Sequence, residues 1–280
     1  MTDRSIDRYA VIGNPISHTK SPLIHGSFAR QTGQQLEYSA IEGPLGGLRQ
    51  AVLDFRAQGG RGMNVTAPFK LDAFALATDR LERAELAGAT NALKFEGERI
   101  LADSFDGVGL VNDIQRNLGC ALAGKRVLLL GAGGAARGAL LPFLAQQPAE
   151  LVIANRTTSR ATELAARFTD FAAAGRVTGC GYADLAGETF DVVVNATSAS
   201  LRAELPPLPA EAFTRCVLAY ELAYGKGLTP FLRLARGAGV ERLADGVGML
   251  VEQAAEAFVW WRGVRPDTAA LIAQLTVPLV

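Results

Sequence analysis

Short apolar runs alternate with longer amphipathic stretches along the 280-residue chain. Such alternation marks strands interleaved with helices, and so an α/β protein with a largely parallel sheet. In the first third the apolar runs predict strands at 9–12, 37–41, 62–65 and 92–95, with 99–102 a short partner after the Glu96-Gly97 turn. Helical spacing fills 22–31, 46–58, 70–76 and 81–86, and a helix over 107–114 leads onward. A second series opens with the apolar run 126–130. It continues with a helix at 134–145, a strand at 151–154, a helix at 159–168 and strands at 176–180, 191–194, 216–220 and 240–243. Two tail helices, 249–261 and 267–275, need a surface for their apolar faces. Packing them back on the first series makes the first domain discontinuous.

The second series carries the most specific local signal. Residues 126–130 run into Gly131-Ala132-Gly133-Gly134-Ala135-Ala136, a strand entering a glycine turn that opens a helix. This is the G-x-G-x-x-G/A pattern of a doubly wound, Rossmann-type dinucleotide domain. Gly131 permits the tight turn, Gly133 lets the backbone approach a pyrophosphate, and Ala136 lets the helix pack on its strand. The phosphates are expected at the helix N-terminus, where free N–H groups and the helix dipole favour anions. The next strand ends in Asn155-Arg156-Thr157-Thr-Ser-Arg160, with no carboxylate to accept from a ribose 2′-hydroxyl. Its two arginines suit a 2′-phosphate, so the expected cofactor is NADP and not NAD. A solvated, helix-capping turn is the plainer reading of the same residues. The strand 191–194 ends in Asn195-Ala-Thr197-Ser198, at the level of a nicotinamide ribose or simply a polar turn.

Composition narrows the partners. With 28 basic and 28 acidic residues the formal net charge is zero, and no basic run suggests a polyanion. The polar, mixed-charge N-terminus has no apolar signal core, and no stretch approaches the length of a membrane helix. Three scattered cysteines fit reduced core thiols, and two histidines without a Cys/His cluster argue against zinc. The expectation is a cytoplasmic protein with a small-molecule substrate, no nucleic-acid or membrane partner and no metal.

Hydride transfer to a carbonyl needs a group that protonates the new alkoxide. Neither His18 nor His25 has an orienting partner in sequence. Lys70 follows a strand and the Ala67-Pro68 turn, facing a crevice. Asp106 precedes a helix start, where a helix cap is the simpler role. A lysine–aspartate pair in a cleft can hold the lysine and pass a proton. The segment Gly13-Asn-Pro-Ile-Ser-His18-Thr19-Lys20-Ser21-Pro22 is a hydroxyl-rich helix cap that can also bind a small carboxylate. Asn91 at a strand start and Gln253 inside a helix are further polar groups. A cleft-facing amide there suits a polyol, whereas a solvated one means nothing.

Taken in order, these motifs resemble the shikimate dehydrogenase family from about Tyr9 to Val264. The matching segments are Gly13–Pro22, Asn64-Val-Thr66-Ala-Pro-Phe-Lys70, Leu86-Ala-Gly-Ala-Thr-Asn91, Asp106-Gly-Val-Gly-Leu110, Gly131–Ala135, Asn155–Thr157, Asn195–Ser198 and Asp245-Gly246-Val-Gly-Met-Leu-Val-Glu-Gln253. The resemblance implies reversible, NADPH-dependent reduction of 3-dehydroshikimate to shikimate, in aromatic amino acid biosynthesis, by a monomer or homodimer. It makes Lys70 the proton donor and acceptor and Asp106 its partner. It assigns Asn64, Thr66, Asn91 and Gln253 to ring hydroxyls and Thr19, Ser21 and Tyr224 to the carboxylate. It places Leu222 and Gly246 by the nicotinamide, with Gly131, Ala132, Gly133, Gly134, Ala135, Asn155, Arg156, Thr157, Arg160 and Thr197 around the rest of the cofactor. The implied division is a substrate-binding and catalytic domain at 1–108 and 246–280, and an NADP domain at 109–245.

Three departures from the family pattern stand out. Asp103-Ser104-Phe105-Asp106-Gly107 replaces D-N-T-D-G, so a larger, less polar Phe105 is expected on the cleft floor. Tyr220-Glu221-Leu222-Ala223-Tyr224 replaces Y-D-M-x-Y, and Ala199-Ser200 lacks the glycine usual after N-A-T-S. These bear on substrate range. The alternatives are a relative that uses quinate or NAD and, in a different class, a non-catalytic dinucleotide sensor on the same fold, against which the intact Lys70 and Asp106 argue.

Overall fold

The computed structural model describes residues 6–172, 175–202, 204–225 and 227–279. The chain divides into two compact units, residues 1–109 with 251–271 and residues 110–250 with 272–280. Residues 272–279 therefore lie with the second unit, and the chain passes between units inside three helices.

In the first unit a six-stranded mixed sheet is built from β1 (Asp7–Gly13), β2 (Leu36–Glu42), β3 (Gly60–Val65), β4 (Asp79–Arg80), β5 (Ala92–Glu96) and β6 (Arg99–Asp103). Its strand order is β2-β1-β3-β5-β6-β4. β1 pairs in parallel with β2 and β3, whereas β5 runs antiparallel to β3 and β6. The β5–β6 hairpin turns at Gly97, whose φ of 55° lies in the left-handed region. Helices α1 (Ser21–Thr32), α2 (Leu48–Ala57), α3 (Lys70–Leu76) and α4 (Glu82–Ala87) complete the N-terminal part. On one face Val52 and Phe55 of α2, Phe69 just before α3 and Ala73 within it bury against Ile12, Met63 and Leu93 of the sheet. On the other, α1 and the long α9 (Val247–Arg262) supply Phe28, Phe258 and Trp261, the last stacked on Tyr9 at 4.7 Å. The apolar seam of α9 is thus used on the first sheet, as the tail's pattern required.

Helix α5 (Asp106–Asn112) passes into a π-helical turn, Asp113–Asn117, before the second sheet. That sheet holds β7 (Arg126–Leu130), β8 (Glu150–Ala154), β9 (Arg176–Cys180), β10 (Val192–Asn195), β11 (Leu218–Glu221) and β12 (Leu243–Ala244), all parallel in the order β12-β11-β10-β7-β8-β9. The order reverses between β7 and β10, which opens a crevice outside the carboxyl ends of the strands. Residues 127–130, 151–154 and 192–194 are buried on both faces. This is why these strands read as continuous apolar runs and not as alternations. α6 (Gly134–Leu144) and α7 (Thr158–Ala166) follow β7 and β8. A helix the apolar pattern did not single out, α8 (Pro230–Gly237), buries Phe231, Leu232 and Ala235 and is capped by Thr229, whose hydroxyl accepts from Leu232 N. The strand expected at 240–243 is displaced to Leu243–Ala244. Val240 is consumed in the turn after α8, its N–H bonded to Ala235 O. The last helix, α10 (Ala269–Leu275), starts two residues late because the Asp267 carboxylate caps Ala269 N. No helix among the described residues is long and apolar enough to cross a membrane.

Candidate active site

Five polar side chains distant in sequence converge in the first unit. Asn64 lies near the end of β3, Lys70 opens α3, Asn91 immediately precedes β5, Asp106 opens α5, and Gln253 projects from α9. The Lys70 Nζ lies 2.5 Å from Asp106 Oδ2. Asp106 Oδ1 accepts from Asn91 Nδ2 at 2.8 Å, and the same amide nitrogen donates to Gln253 Oε1 at 3.1 Å. Asn91 Oδ1 accepts from Phe105 N at 2.9 Å, which fixes which end of the amide faces Asp106. Asn64 Nδ2 in turn donates to the carbonyl of Asn91 at 3.2 Å. Backbone bonds hold the frame: Asn91 N to Asp103 O, Thr90 N to Lys70 O and Val65 N to Asn91 O. Helix α9 can bring Gln253 this close because residue 109 is glycine. A β-carbon there would come within 2.6 Å of the Gln253 backbone nitrogen.

Chemically this is a carboxylate held from one side by an amide and paired on the other with a half-exposed ammonium. The aspartate fixes the lysine's position, and the partly exposed lysine can reach a ligand oxygen. Lys70, Asp106, Asn64, Asn91 and Gln253 are thus brought together. Thr66 follows Asn64 on the same strand exit and is half-buried. Thr19 and Ser21 form a hydroxyl pair at the start of α1, Thr19 Oγ1 donating to Ser21 Oγ at 3.2 Å. His18 is exposed. His25 is buried, which pushes its pKa down to about 3 and keeps it neutral.

Phe105 does not form a cleft floor. It is 2% exposed and packs with Ala92, Ala257 and the indole of Trp260, under the guanidinium of Arg83. The backbone between β6 and α5 aims its N–H at the Asn91 amide and its ring into the core. The expected change to the cleft is therefore corrected: the substitution alters packing. Asp103 beside it is fully buried and ion-paired with Arg83, and burial pushes its pKa up against that pairing.

In the second unit the glycine turn lines a cavity of about 410 Å³. Gly131 has φ +104°, a left-handed conformation that favours glycine. At Gly133 and Gly134 an added β-carbon would meet nothing within 4 Å and would project into open space. Side chains there would intrude on whatever lies against the loop, so the cradle fits a pyrophosphate at the N-terminus of α6. Asn155 and Arg156 line the same cavity. Asn155 Nδ2 closes the turn on Thr157 O at 2.9 Å. Thr157 and Arg160 are exposed and stand outside the cavity lining. Thr197 lines it, its hydroxyl bonded to Asn195 Oδ1 at 2.7 Å.

Sequence reasoning missed Tyr182 and the Arg202–Glu204 ion pair in this lining. Tyr182 follows the outer strand β9 by two residues, which was the available signal. Leu222 and Gly246 meet backbone to backbone at the ends of β11 and β12, where a β-carbon on Gly246 would clash with Leu222 O. Beneath them Glu221 is fully buried and accepts from Asn195 Nδ2 (3.0 Å), Thr229 Oγ1 (3.1 Å) and Ala223 N (3.3 Å). Tyr224 lies three residues further on and belongs to this unit. Among the described residues no group of three His, Cys, Asp or Glu side chains could hold a metal ion.

Three family models cover most of the chain. Residues 11–93 match a shikimate dehydrogenase substrate binding domain, residues 113–204 match shikimate / quinate 5-dehydrogenase, and residues 246–276 match a shikimate 5′-dehydrogenase C-terminal domain. A curated protein of Aromatoleum aromaticum named shikimate dehydrogenase (NADP(+)) is 58% identical over 271 residues, 97% of each chain. The crystal structure of an Ael1 enzyme from Pseudomonas putida is 66% identical with a TM-score of 0.93, covering 98% of this chain and 100% of that one. That of shikimate 5-dehydrogenase from Thermus thermophilus, in complex with NADP(H) and shikimate, is 30% identical with a TM-score of 0.83, covering 95% and 97%.

Proposed function

The chain belongs to the shikimate dehydrogenase family, and from that premise we propose that it catalyses the reversible, NADPH-dependent reduction of 3-dehydroshikimate to shikimate. The observation that carries the catalytic reading is the 2.5 Å contact of Lys70 with an Asp106 that is itself held by Asn91. NADP, when bound, supplies the hydride acceptor in the oxidative direction. Lys70 takes the proton from the reacting hydroxyl in that direction and returns it to the carbonyl oxygen in the other. Asp106 keeps the ammonium in reach and accepts from a neighbouring ring hydroxyl. Asn64, Thr66, Asn91 and Gln253 offer the remaining hydroxyl contacts, and Thr19, Ser21 and Tyr224 take the carboxylate. On this reading the first unit is the substrate-binding and catalytic domain.

The second unit is then the NADP domain. Its loop 131–135 holds the pyrophosphate, Asn155, Arg156, Thr157 and Arg160 meet the 2′-phosphate, and Thr197, Leu222 and Gly246 lie at the nicotinamide end. Support for NADP over NAD comes from the carboxylate-free end of β8 and from Arg156, an exposed guanidinium in the cavity lining. The exposed positions of Thr157 and Arg160 suit a phosphate at the rim more than one inside the cavity. We further propose a cytoplasmic monomer or homodimer that takes no nucleic acid, consistent with its zero formal net charge.

The test is reduced-nicotinamide absorbance with shikimate and NADP. Steady formation of NADPH is expected. Absence of turnover with either NADP or NAD would overturn the assignment.

A further inference from the structure

We infer that Tyr38, seated on the buried imidazole of His25, is a positioning residue that fixes the Asn64 amide for a ligand hydroxyl. The inference rests on the proposed reading that Asn64 binds the substrate ring. Tyr38 lies on β2 and Asn64 on β3, with β1 between them. In register Tyr38 pairs with Tyr9, and Asn64 with Val11. The Tyr38 side chain must therefore cross the middle strand, two strand spacings or roughly 9–10 Å. At its end the hydroxyl lies 2.7 Å from Asn64 Oδ1. A phenylalanine would cover the same apolar ground, so what the hydroxyl adds is this bond, together with its interaction with the Ser21 side chain.

The direction of that bond follows from elimination. The carbonyl of Asn91 can only accept, so the end of the Asn64 amide that faces it is the nitrogen. Oδ1 then faces Tyr38, and the phenol must donate. One hydrogen of Nδ2 is spent on Asn91 O, leaving one N–H for a ligand oxygen. Asn64 is 6% exposed, so a free amide would be costly to leave unpaired and prone to the opposite rotamer. Tyr38 removes that choice.

Its own seating is unusual. His25 lies flat on the Tyr38 ring, centroids 4.1 Å apart and planes within 4°. The imidazole is 1% exposed, and neither ring nitrogen has a hydrogen-bond partner among the described residues. Its other neighbours are the aromatic rings of Phe28, Phe258 and Trp261 and the side chain of Asn64. With no full hydrogen bond among the described residues, the imidazole serves here as a flat platform. Ser21 stands one turn before His25 on the same face of α1, and its side chain also interacts with the Tyr38 hydroxyl.

The test is a double-mutant cycle read by calorimetric shikimate binding and by steady-state kinetics. Tyr38→Phe keeps the stack and should raise both the shikimate Kd and KM about five- to ten-fold, the weight of one buried hydrogen bond. It should leave kcat within about two-fold and the NADP KM unchanged. In an Asn64→Ala background the same change should add less than about two-fold. Equal effects in both backgrounds, or an unchanged Kd in Tyr38→Phe, would overturn the proposal. Asn64→Asp provides a second arm: its carboxylate still accepts from Tyr38 but has no N–H. It should weaken shikimate binding at least as much as Asn64→Ala, and wild-type affinity would overturn the claim that the Nδ2 end meets the ligand. A parent protein that neither binds nor oxidises shikimate would instead overturn the reading on which this rests.

Discussion

Around Lys70 the functional groups of the first unit are side chains that hold one another. Asp106 grips Lys70, Asn91 grips Asp106, and a backbone N–H grips Asn91. At the glycine turn of the second unit the functional surface is main chain beside open space, with Gly131 in a left-handed conformation and no atom within 4 Å of where side chains at 133 and 134 would begin. On the proposed reading, the difference follows from what each surface recognises. A phosphate is met by N–H groups that every residue carries, so the site is made by leaving side chains out. A ring with several hydroxyls and one reacting oxygen needs donors and acceptors at distinct points, and only interlocked side chains give that.

The sharpest way to break this comparison is Lys70→Ala. It should lower kcat by about 10²- to 10⁴-fold, the span of general acid–base catalysis, while NADP affinity measured by fluorescence stays at the wild-type value. A parallel loss of NADP affinity would mean that the two surfaces do not divide the work as described.

Phe105→Thr comes next. Because the ring is buried against Ala92, Ala257 and Trp260, its loss should cost about 3 kcal/mol of stability in denaturant unfolding. The shikimate KM should remain within about two-fold. A large KM change with little loss of stability would return Phe105 to the cleft.

Arg156→Ala should weaken NADP by about ten-fold or more, the weight of a charge-assisted bond, and leave the NAD KM unchanged. Equal effects on both cofactors would show that Arg156 does not read the 2′-phosphate.

The smallest effect concerns acid. His25 titrates at about 3 in the folded protein against a usual 6.5, because burial disfavours its charged form. Between those values the unfolded chain binds a proton that the folded chain refuses, so stability falls as pH drops, by at most about 1.4 kcal/mol per pH unit. Above pH 6.5 both states are neutral and the contribution is flat. His25→Phe should therefore flatten the stability profile between about pH 4 and 6. An unchanged slope would show that His25 does not set it.

Much of the fold was legible because both-face burial writes long apolar runs, and β7, β8 and β10 are such runs. The glycine turn was legible for a related reason: its conformation and its empty flank both exclude side chains. The rest is non-local. β12 is two residues long and owes its place to β11, so no period could mark it. Phe105 sits between a strand end and a helix start, where alternation no longer says which way a side chain points. Asn64, Lys70, Asn91, Asp106 and Gln253 could be named as candidates, but their meeting depends on a mixed strand order and on the missing β-carbon at residue 109. Tyr38 escaped notice because it reaches its partner across an intervening strand.

The central claim is an NADP-dependent enzyme acting on shikimate. It is tested most directly by kcat/KM measured for shikimate and quinate, each with NADP and with NAD. The shikimate–NADP pair should be highest, ahead of shikimate–NAD by about ten-fold or more. A maximum at quinate, or equal values with the two cofactors, would contradict it.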